Sequence, residues 1–92
     1  MKFDWDEAKR AANLIKHKVD FELAKRVFND PCRIEIEDES MDYGETRIIV
    51  IGFATDILLL SVIYTERGEC IRSISARRAT PKERRLYHES SV

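Results

Sequence analysis

The sequence has only two cysteines, Cys32 and Cys70, and they lie far apart in the chain. Neither belongs to a Cys-x-x-Cys pair or to a Cys/His spacing typical of zinc ligands, so no metal site is predicted. Long hydrophobic runs are also lacking, since the longest, at residues 57–60 and 62–63, is too short to cross a bilayer. No charged-then-apolar signal peptide opens the chain. These absences predict a cytoplasmic protein with reduced thiols and no membrane partner.

Repeats, linkers and low-complexity tracts are missing as well. Ninety-two residues suffice for one hydrophobic core and are too few for two, so residues 1–92 are predicted to form a single domain. Hydrophobic residues make up 43% of the chain, which is enough for a compact core. Charged residues make up 36%, above the roughly 25% that is usual, so the surface is densely charged.

The net charge of −1 says nothing about partners, but the charges are unevenly distributed. The segment from Asp30 to Glu45 carries seven acidic residues and one basic residue, whereas the segment from Glu66 to Arg85 carries seven basic and three acidic residues. A polyanion such as RNA would be attracted to the second segment and repelled by the first. The alternative is that both segments are ordinary solvated surfaces, and the charge pattern alone leaves both interpretations open.

The N-terminal third predicts two helices. Asp4 and Glu7 have the spacing of a capping box at the start of the first helix. Asp20 is predicted to cap the second helix, which ends at residues 29–31. Helical spacing predicts a buried apolar stripe on each helix. The stripes are Trp5, Ala8, Ala12 and Ile15 on the first helix, and Phe21, Ala24, Val27 and Phe28 on the second.

The rest of the chain predicts four strands and a final helix. The strands are expected at about 32–36, 46–53, 57–64 and 70–76, with turns at 40–44, 54–56 and 66–69. Such short connections require antiparallel neighbours. Thr80 and Glu83 form a capping box with Pro81 at the first helical position, which predicts a short helix to about His88. The predicted fold is α+β, with two N-terminal helices, a four-stranded antiparallel sheet and a short C-terminal helix.

Several short motifs follow one another from Phe3 to Tyr87. They are Phe3-x-Trp5-Asp6-x-x-Lys9, Asn13-x-x-Lys16-His17-x-Val19-x-Phe21, Gly44-Glu45-x-Arg47, Thr65-Glu66-Arg67, Ile74-Ser75-Ala76-Arg77-Arg78-Ala79 and Glu83-Arg84-x-x-Tyr87. Taken together, in this order, they resemble the BrnT toxins of bacterial toxin–antitoxin pairs. One position departs from the pattern: the family commonly has glycine after the Lys-His pair, where this chain has Lys18. Glycine would suit a left-handed helix end at this position.

The resemblance implies a RelE-like fold and an endoribonuclease activity that stops translation. It also implies neutralisation by a BrnA-type antitoxin, whose DNA-binding part represses the shared operon, so operator DNA would be contacted only through the antitoxin. No cofactor is expected. The alternative is a non-catalytic module that uses the same basic residues to bind nucleic acid or protein. Both remain open at this stage, because no single residue of the sequence is an unambiguous catalyst.

RNA cleavage without a metal needs a base for the 2′-OH proton, a cation for the phosphorane charge and an acid for the departing 5′-oxygen. Arginine suits the second role because its planar fork matches phosphate oxygens. The catalytic candidates are Arg67, predicted in a turn, Arg77, predicted at the end of the fourth strand, His17 and Glu83. The structural alternatives are a solvated turn for Arg67, a C-terminal helix cation for His17 and the capping box for Glu83.

Four further residues are candidates for RNA binding: Arg78, Arg84, Tyr87 and Lys16. Arg78 is predicted to point away from Arg77, because side chains alternate along a strand. Tyr87 could stack on a base, or it could instead anchor the last helix to the core.

Overall fold

The computed structural model of the protein describes residues 2–39, 42 and 44–90. Strands and helices occur in a mixed order that places it in the α+β class, as predicted. The elements are β1 (Lys2–Asp4), α1 (Glu7–His17), α2 (Phe21–Ala24), a 3₁₀ helix (Lys25–Asn29), β2 (Ile34–Glu37), β3 (Ile48–Phe53), β4 (Leu59–Arg67), β5 (Cys70–Arg78) and α3 (Pro81–Ser90). No helix within these ranges is long and apolar enough to span a membrane.

The strands form one mixed sheet in the order β1-β5-β4-β3-β2. Strands β2 to β5 make the antiparallel meander that short connections predict. The prediction of a four-stranded antiparallel sheet is nevertheless wrong, because β1 adds a fifth strand parallel to β5, with Lys2 opposite Cys70. Three residues are too few to show the alternation by which a strand is recognised in a sequence. The predicted turn at 40–44 lies largely outside the described residues.

Helix α1 buries a different face from the one predicted. Asp6, not Asp4, caps the helix, since its Oδ1 accepts hydrogen bonds from the Ala8 N–H at 2.8 Å and the Lys9 N–H at 3.4 Å. The side chains of Ala8, Ala12 and Ile15, predicted to be buried, are exposed, and Ile15 is 74% exposed. The buried residue of this helix is Asn13. The apolar stripe of α1 therefore faces away from the sheet.

Asn13 forms hydrogen bonds with the free edge of β5 beyond the point where β1 ends. Its side-chain amide donates to the Ala76 carbonyl at 2.8 Å, and its oxygen accepts the Ala76 N–H at 3.1 Å. The same amide nitrogen also donates to the Val19 carbonyl at 2.9 Å. The Asn13 side chain thus replaces the missing strand partner, which explains why this polar residue is buried.

The second helical segment follows its prediction closely. Asp20 caps it, and the four predicted apolar residues Phe21, Ala24, Val27 and Phe28 are all buried. Its second half, Lys25–Asn29, differs from the predicted α-helix because it forms a 3₁₀ helix. The Arg10 guanidinium binds both oxygens of Asp20, at 2.7 Å and 3.0 Å, and thereby ties α1 to this cap. That hydrogen-bonded ion pair holds the pKa of Asp20 below its ordinary value.

The sheet is covered on both faces. One face, with Val50 and Val62, packs against α2 and the 3₁₀ helix, while Ile51 and Leu59 on the other face pack against Tyr87 of α3. Strand β4 begins at Leu59, later than predicted, and Ile57 is 83% exposed in the preceding turn. Helix α3 thus lies across one end of the sheet, where β4 begins and β5 ends.

Candidate active site

The capping box at the start of α3 forms as predicted. The Glu83 N–H donates to Thr80 Oγ1 at 3.2 Å, and the Thr80 N–H donates to Glu83 Oε1 at 2.8 Å. Reciprocal bonds of this kind fix the first turn and the direction of the glutamate side chain. The Glu83 carboxylate is consequently held against the sheet, where its side chain is 14% exposed.

Arg77 meets this carboxylate from the neighbouring strand. It is the penultimate residue of β5 and lies opposite Ser61 of β4, on the face of the sheet that α3 covers. Its guanidinium donates from Nη1 to Glu83 Oε1 at 2.7 Å and from Nη2 to Glu83 Oε2 at 3.0 Å. Ser61 Oγ donates to Glu83 Oε2 at 3.2 Å. The site therefore joins β4, β5 and α3.

The surroundings of Glu83 keep it ionised. Burial disfavours its charged form, but hydrogen bonds from Arg77, the Thr80 N–H and Ser61, together with the charge of Arg77, outweigh that penalty and lower its pKa below the ordinary value. Both of its oxygens already accept two hydrogen bonds each. A carboxylate engaged in this way orients Arg77 and has little capacity left to take a substrate proton.

One side of the Arg77 guanidinium has unbound N–H donors despite this pairing. Of its five N–H donors, two bind Glu83, and Nη1 also donates to the Arg78 carbonyl at 3.2 Å. Among the described residues, the N–H of Nε and the second N–H of Nη2 have no acceptor. These two donors point the same way along one side of the guanidinium, and the side chain is 35% exposed. The guanidinium is thus a fixed bidentate hydrogen-bond donor, of the kind that matches two oxygens of a phosphate.

Arg67 does not share this site. It is the last residue of β4, not a turn residue, and it lies opposite Cys70 at the hairpin end of the strand pair. Ser61, the partner of Arg77, lies six residues away along β4, which corresponds to about 20 Å at about 3.3 Å per residue. Arg67 is 56% exposed and contacts Glu45 Oε1 at 3.5 Å. The two arginines therefore do not belong to the same site.

His17 and Lys16 lie together at the end of α1. They border a 240 Å³ pocket whose other side is formed by Ile74 and Ser75 of β5. Ser75 precedes Arg77 by two residues on the same strand, so the pocket and the Arg77 site both border the end of β5. Lys18 ends the helix in the left-handed conformation, at φ 60°, and its N–H bonds to the Leu14 carbonyl. The non-glycine residue thus adopts the conformation that glycine would favour.

The remaining candidates for RNA binding differ in exposure. Arg78 is exposed and pairs with Leu60, on the opposite face from Arg77, and Arg84 is exposed on α3. Tyr87 is only 6% exposed, and its hydroxyl donates to Asp30 Oδ2 at 2.6 Å. Burial and the adjacent Asp30 carboxylate raise the pKa of Tyr87 above its ordinary value. These contacts favour the anchoring role of Tyr87.

Sequence reasoning missed two residues of this face. Ser61 is a buried hydroxyl within the apolar run from Leu58 to Ile63, and that interruption was the available signal. Arg72 lies opposite Thr65 on the same face, between the levels of Arg67 and Arg77, and its Nη1 is 3.4 Å from Asp4 Oδ1. Within the described ranges, no three His, Cys, Asp or Glu side chains are grouped to hold a metal ion.

Two substitutions separate the structural and chemical roles of the α3 cap. Thr80→Ala removes the cap hydroxyl and should lower the free energy of unfolding by about 1 kcal/mol.

Glu83→Gln keeps an oxygen for the Thr80 N–H but places an uncharged amide against Arg77. We expect it to slow the RNA cleavage that the resemblance implies while the shape of the pH–rate profile stays the same, because Glu83 positions Arg77. Loss of one limb of that profile would instead identify Glu83 as the proton-transferring base.

Acid unfolding provides a second readout for Glu83. Since its pKa is lower in the folded protein than in the unfolded chain, its contribution to stability is present above its unfolded pKa, about 4.3. That contribution disappears as the pH falls through the folded-state value. The Glu83→Gln variant should therefore lose less stability between neutral and acidic pH than the parent protein, as measured by urea unfolding.

The class of the protein follows from comparison with family models. Residues 5–83 match the model described as the ribonuclease toxin, BrnT, of type II toxin–antitoxin systems. Because the match spans most of the chain, the protein belongs to the BrnT family of ribonuclease toxins, which confirms the resemblance seen in the sequence. The family defines RNA as its substrate and an antitoxin as its partner.

A solved structure agrees with this assignment. The chain is similar to the ribonuclease toxin BrnT of Brucella abortus, known from a 1.1 Å crystal structure, with 28% sequence identity and a TM-score of 0.65. The similarity covers 87% of this chain and 97% of the Brucella chain. A comparison with curated protein sequences found no match.

Proposed function

We propose that this BrnT-family protein is an endoribonuclease that cleaves RNA without a metal ion and thereby inhibits translation, with Arg77 binding the scissile phosphate. The observation that supports this most directly is the fixed guanidinium of Arg77, which Glu83 holds end-on while the Nε side stays open. A phosphate-binding group of this kind is oriented before the substrate arrives, so no reorganisation is needed during the reaction.

The reaction is an attack of the ribose 2′-oxygen on the adjacent phosphorus. The bond from phosphorus to the 5′-oxygen of the next nucleotide breaks, which leaves a 2′,3′-cyclic phosphate and a 5′-hydroxyl. The proton leaves the 2′-oxygen for a base, and an acid gives a proton to the 5′-oxygen. Arg77 stabilises the negative charge that accumulates on the phosphorane oxygens. His17 is our candidate for proton transfer, because it borders the pocket beside Ser75.

A metal ion is unnecessary in this scheme, because the guanidinium supplies a permanent positive charge in a fixed place. The other basic residues would bind flanking phosphates, since contacts to the backbone provide affinity without reading sequence. These residues are Arg67, Arg72, Arg78, Arg84 and Lys16. Their spread over both sheet faces would allow an RNA strand to cross the end of β5.

The partner in the proposed function is a BrnA-type antitoxin. It would block RNA access and, through its own DNA-binding part, bring the toxin to operator DNA. The toxin itself would then contact no DNA.

The test uses purified protein, single-stranded RNA and excess EDTA. We expect fragments that end in 2′,3′-cyclic phosphate, at a rate unaffected by the chelator. The same preparation of the Arg77→Ala variant controls for contaminating nucleases. Cleavage that EDTA abolishes and Mg²⁺ restores would disprove metal independence. RNA that is bound but left intact, with or without ribosomes, would support the alternative of a non-catalytic binding module.

A further inference from the structure

The outer face of α1 is apolar although nothing in the described structure covers it. Ala8, Ala11, Ala12 and Ile15 lie along one side of the helix at the spacing that normally marks a buried stripe. All four side chains are exposed, Ile15 at 74%, and Leu14 on the flank is 45% exposed. Single exposed apolar residues are ordinary, but a continuous amphipathic stripe on a protein surface marks an interaction site.

The stripe is rigidly presented. On its inner side, α1 is fixed by the hydrogen bonds of Asn13 to Ala76 and by the ion pair of Arg10 with Asp20. A partner that docks here does not have to order the helix first, which lowers the entropic cost of association. Small alanine side chains also allow another helix to approach closely, while Ile15 provides a larger apolar anchor.

A basic rim accompanies the stripe. Lys9 and Lys16 follow one side of it and Lys18 lies at its end, and none of the three lysines forms an ion pair with the described residues. By contrast, Arg10 and Lys25, which point toward the body of the protein, are both paired. Three uncompensated lysines beside an apolar stripe are complementary to an acidic amphipathic helix.

We propose that the antitoxin docks on this face of α1 through an amphipathic helix with acidic residues along its flank. Two observations disfavour other occupants. A symmetric dimer of this chain with antiparallel α1 helices would place the lysine rims of both copies near one another, and like charges repel. RNA would use the lysines, but it would leave the side chain of Ile15 without a partner.

The position of the stripe also links docking to inhibition. Ala12 belongs to the stripe and also lines the 240 Å³ pocket, together with Lys16 and His17. A helix on the stripe therefore covers the mouth of this pocket and excludes RNA from it. This inference rests on the proposed neutralisation by the antitoxin and adds the surface through which it acts.

The experiment measures binding of the purified candidate antitoxin, taken as the product of the neighbouring open reading frame that a type II pair predicts, to the parent toxin and its variants. Ile15→Glu introduces a charge into the centre of the stripe, and we expect the dissociation constant to rise by about 30-fold or more, as for a central interface residue. Ile57→Glu is the matched control, since it changes an 83% exposed isoleucine between β3 and β4, outside α1, and should bind like the parent. Lys9→Glu should slow association and weaken its salt dependence.

The outcomes separate this inference from the proposed function. RNA cleavage by Ile15→Glu should equal that of the parent, yet the antitoxin should no longer suppress it. Equal antitoxin binding by Ile15→Glu and the parent would overturn the docking surface while the antitoxin partnership stands. A parent protein that does not bind the antitoxin at all would overturn both. A toxin dimer that Ile15→Glu converts to monomers would assign the stripe to a second copy of the chain instead.

Discussion

Replacing Arg77 with alanine should reduce the rate of RNA cleavage by about 10²–10³-fold, the usual loss when one donor to a developing oxyanion is removed. The arginine is oriented by two hydrogen bonds to Glu83 and offers its Nε side to solvent, so its removal leaves the phosphorane charge without a fixed counter-charge. Steady-state cleavage of single-stranded RNA, together with circular dichroism to verify folding, measures the effect. Arg77→Lys keeps the charge but cannot bind two oxygens at once, and most of the loss should persist.

Arg67→Ala is the natural comparison for Arg77→Ala. The two residues were equivalent candidates in the sequence, but the structure places them at opposite ends of the β4–β5 hairpin. We expect Arg67→Ala to raise KM for RNA more than it lowers kcat, because a distant phosphate contact binds ground state and transition state alike. A double variant that cleaves RNA as fast as the parent would show that neither arginine belongs to the site.

Asn13→Ala should cause the largest loss of stability, about 3 kcal/mol in the free energy of unfolding. The substitution removes four hydrogen bonds, one of them from the Ser75 hydroxyl, and leaves the buried N–H and carbonyl of Ala76 and the buried carbonyl of Val19 without these partners. Each such unsatisfied group costs about 1–3 kcal/mol, partly offset by local relaxation. Urea unfolding gives the midpoint and the extrapolated free energy.

Ile15→Ala is the matched control for this measurement, because it lies on the same helix but is mostly exposed. Its midpoint should remain close to that of the parent. Asn13→Asp is informative as well, since it can still accept the Ala76 N–H but loses both donors and brings in a charge. An Asn13→Ala protein as stable as Ile15→Ala would contradict the role of Asn13 as a substitute for a strand.

The cap signals at Asp20 and at Thr80–Glu83 were reliable, whereas the capping box predicted at Asp4 and Glu7 was wrong, since Asp6 caps α1. The Thr80–Glu83 capping box and the Asp20 cap depend on residues two or three positions apart, and both form as predicted. The periodicity of α1 identified a helix but assigned the wrong buried face. Ala8, Ala12 and Ile15 are apolar, yet the free edge of β5 required the amide of Asn13 instead.

The candidate site likewise depends partly on local patterns, which the sequence shows, and partly on tertiary contacts, which it does not show. Arg77 was chosen as a catalytic candidate from its residue type and its position before the last helix. Its pairing with Glu83 and Ser61 depends on how α3 docks across two strands, which no local pattern encodes. Arg67 and Arg77 were grouped because both lie in one basic segment. Antiparallel pairing of β4 and β5 then separates them, since residues near the hairpin turn are far from those at the open end.

The pairing of β1 with β5 has a consequence for synthesis of the toxin on the ribosome. Residues 2–4 are made before residues 70–72 and find their strand partners only when these have been made. At about 5–20 residues per second, several seconds separate the synthesis of these two segments, and Arg77 and Glu83 follow still later. Nascent chains that stop before β5 lack the strand that pairs with β1, and they lack Arg77. We therefore expect chains that terminate before Glu83 to lack RNA-cleaving activity.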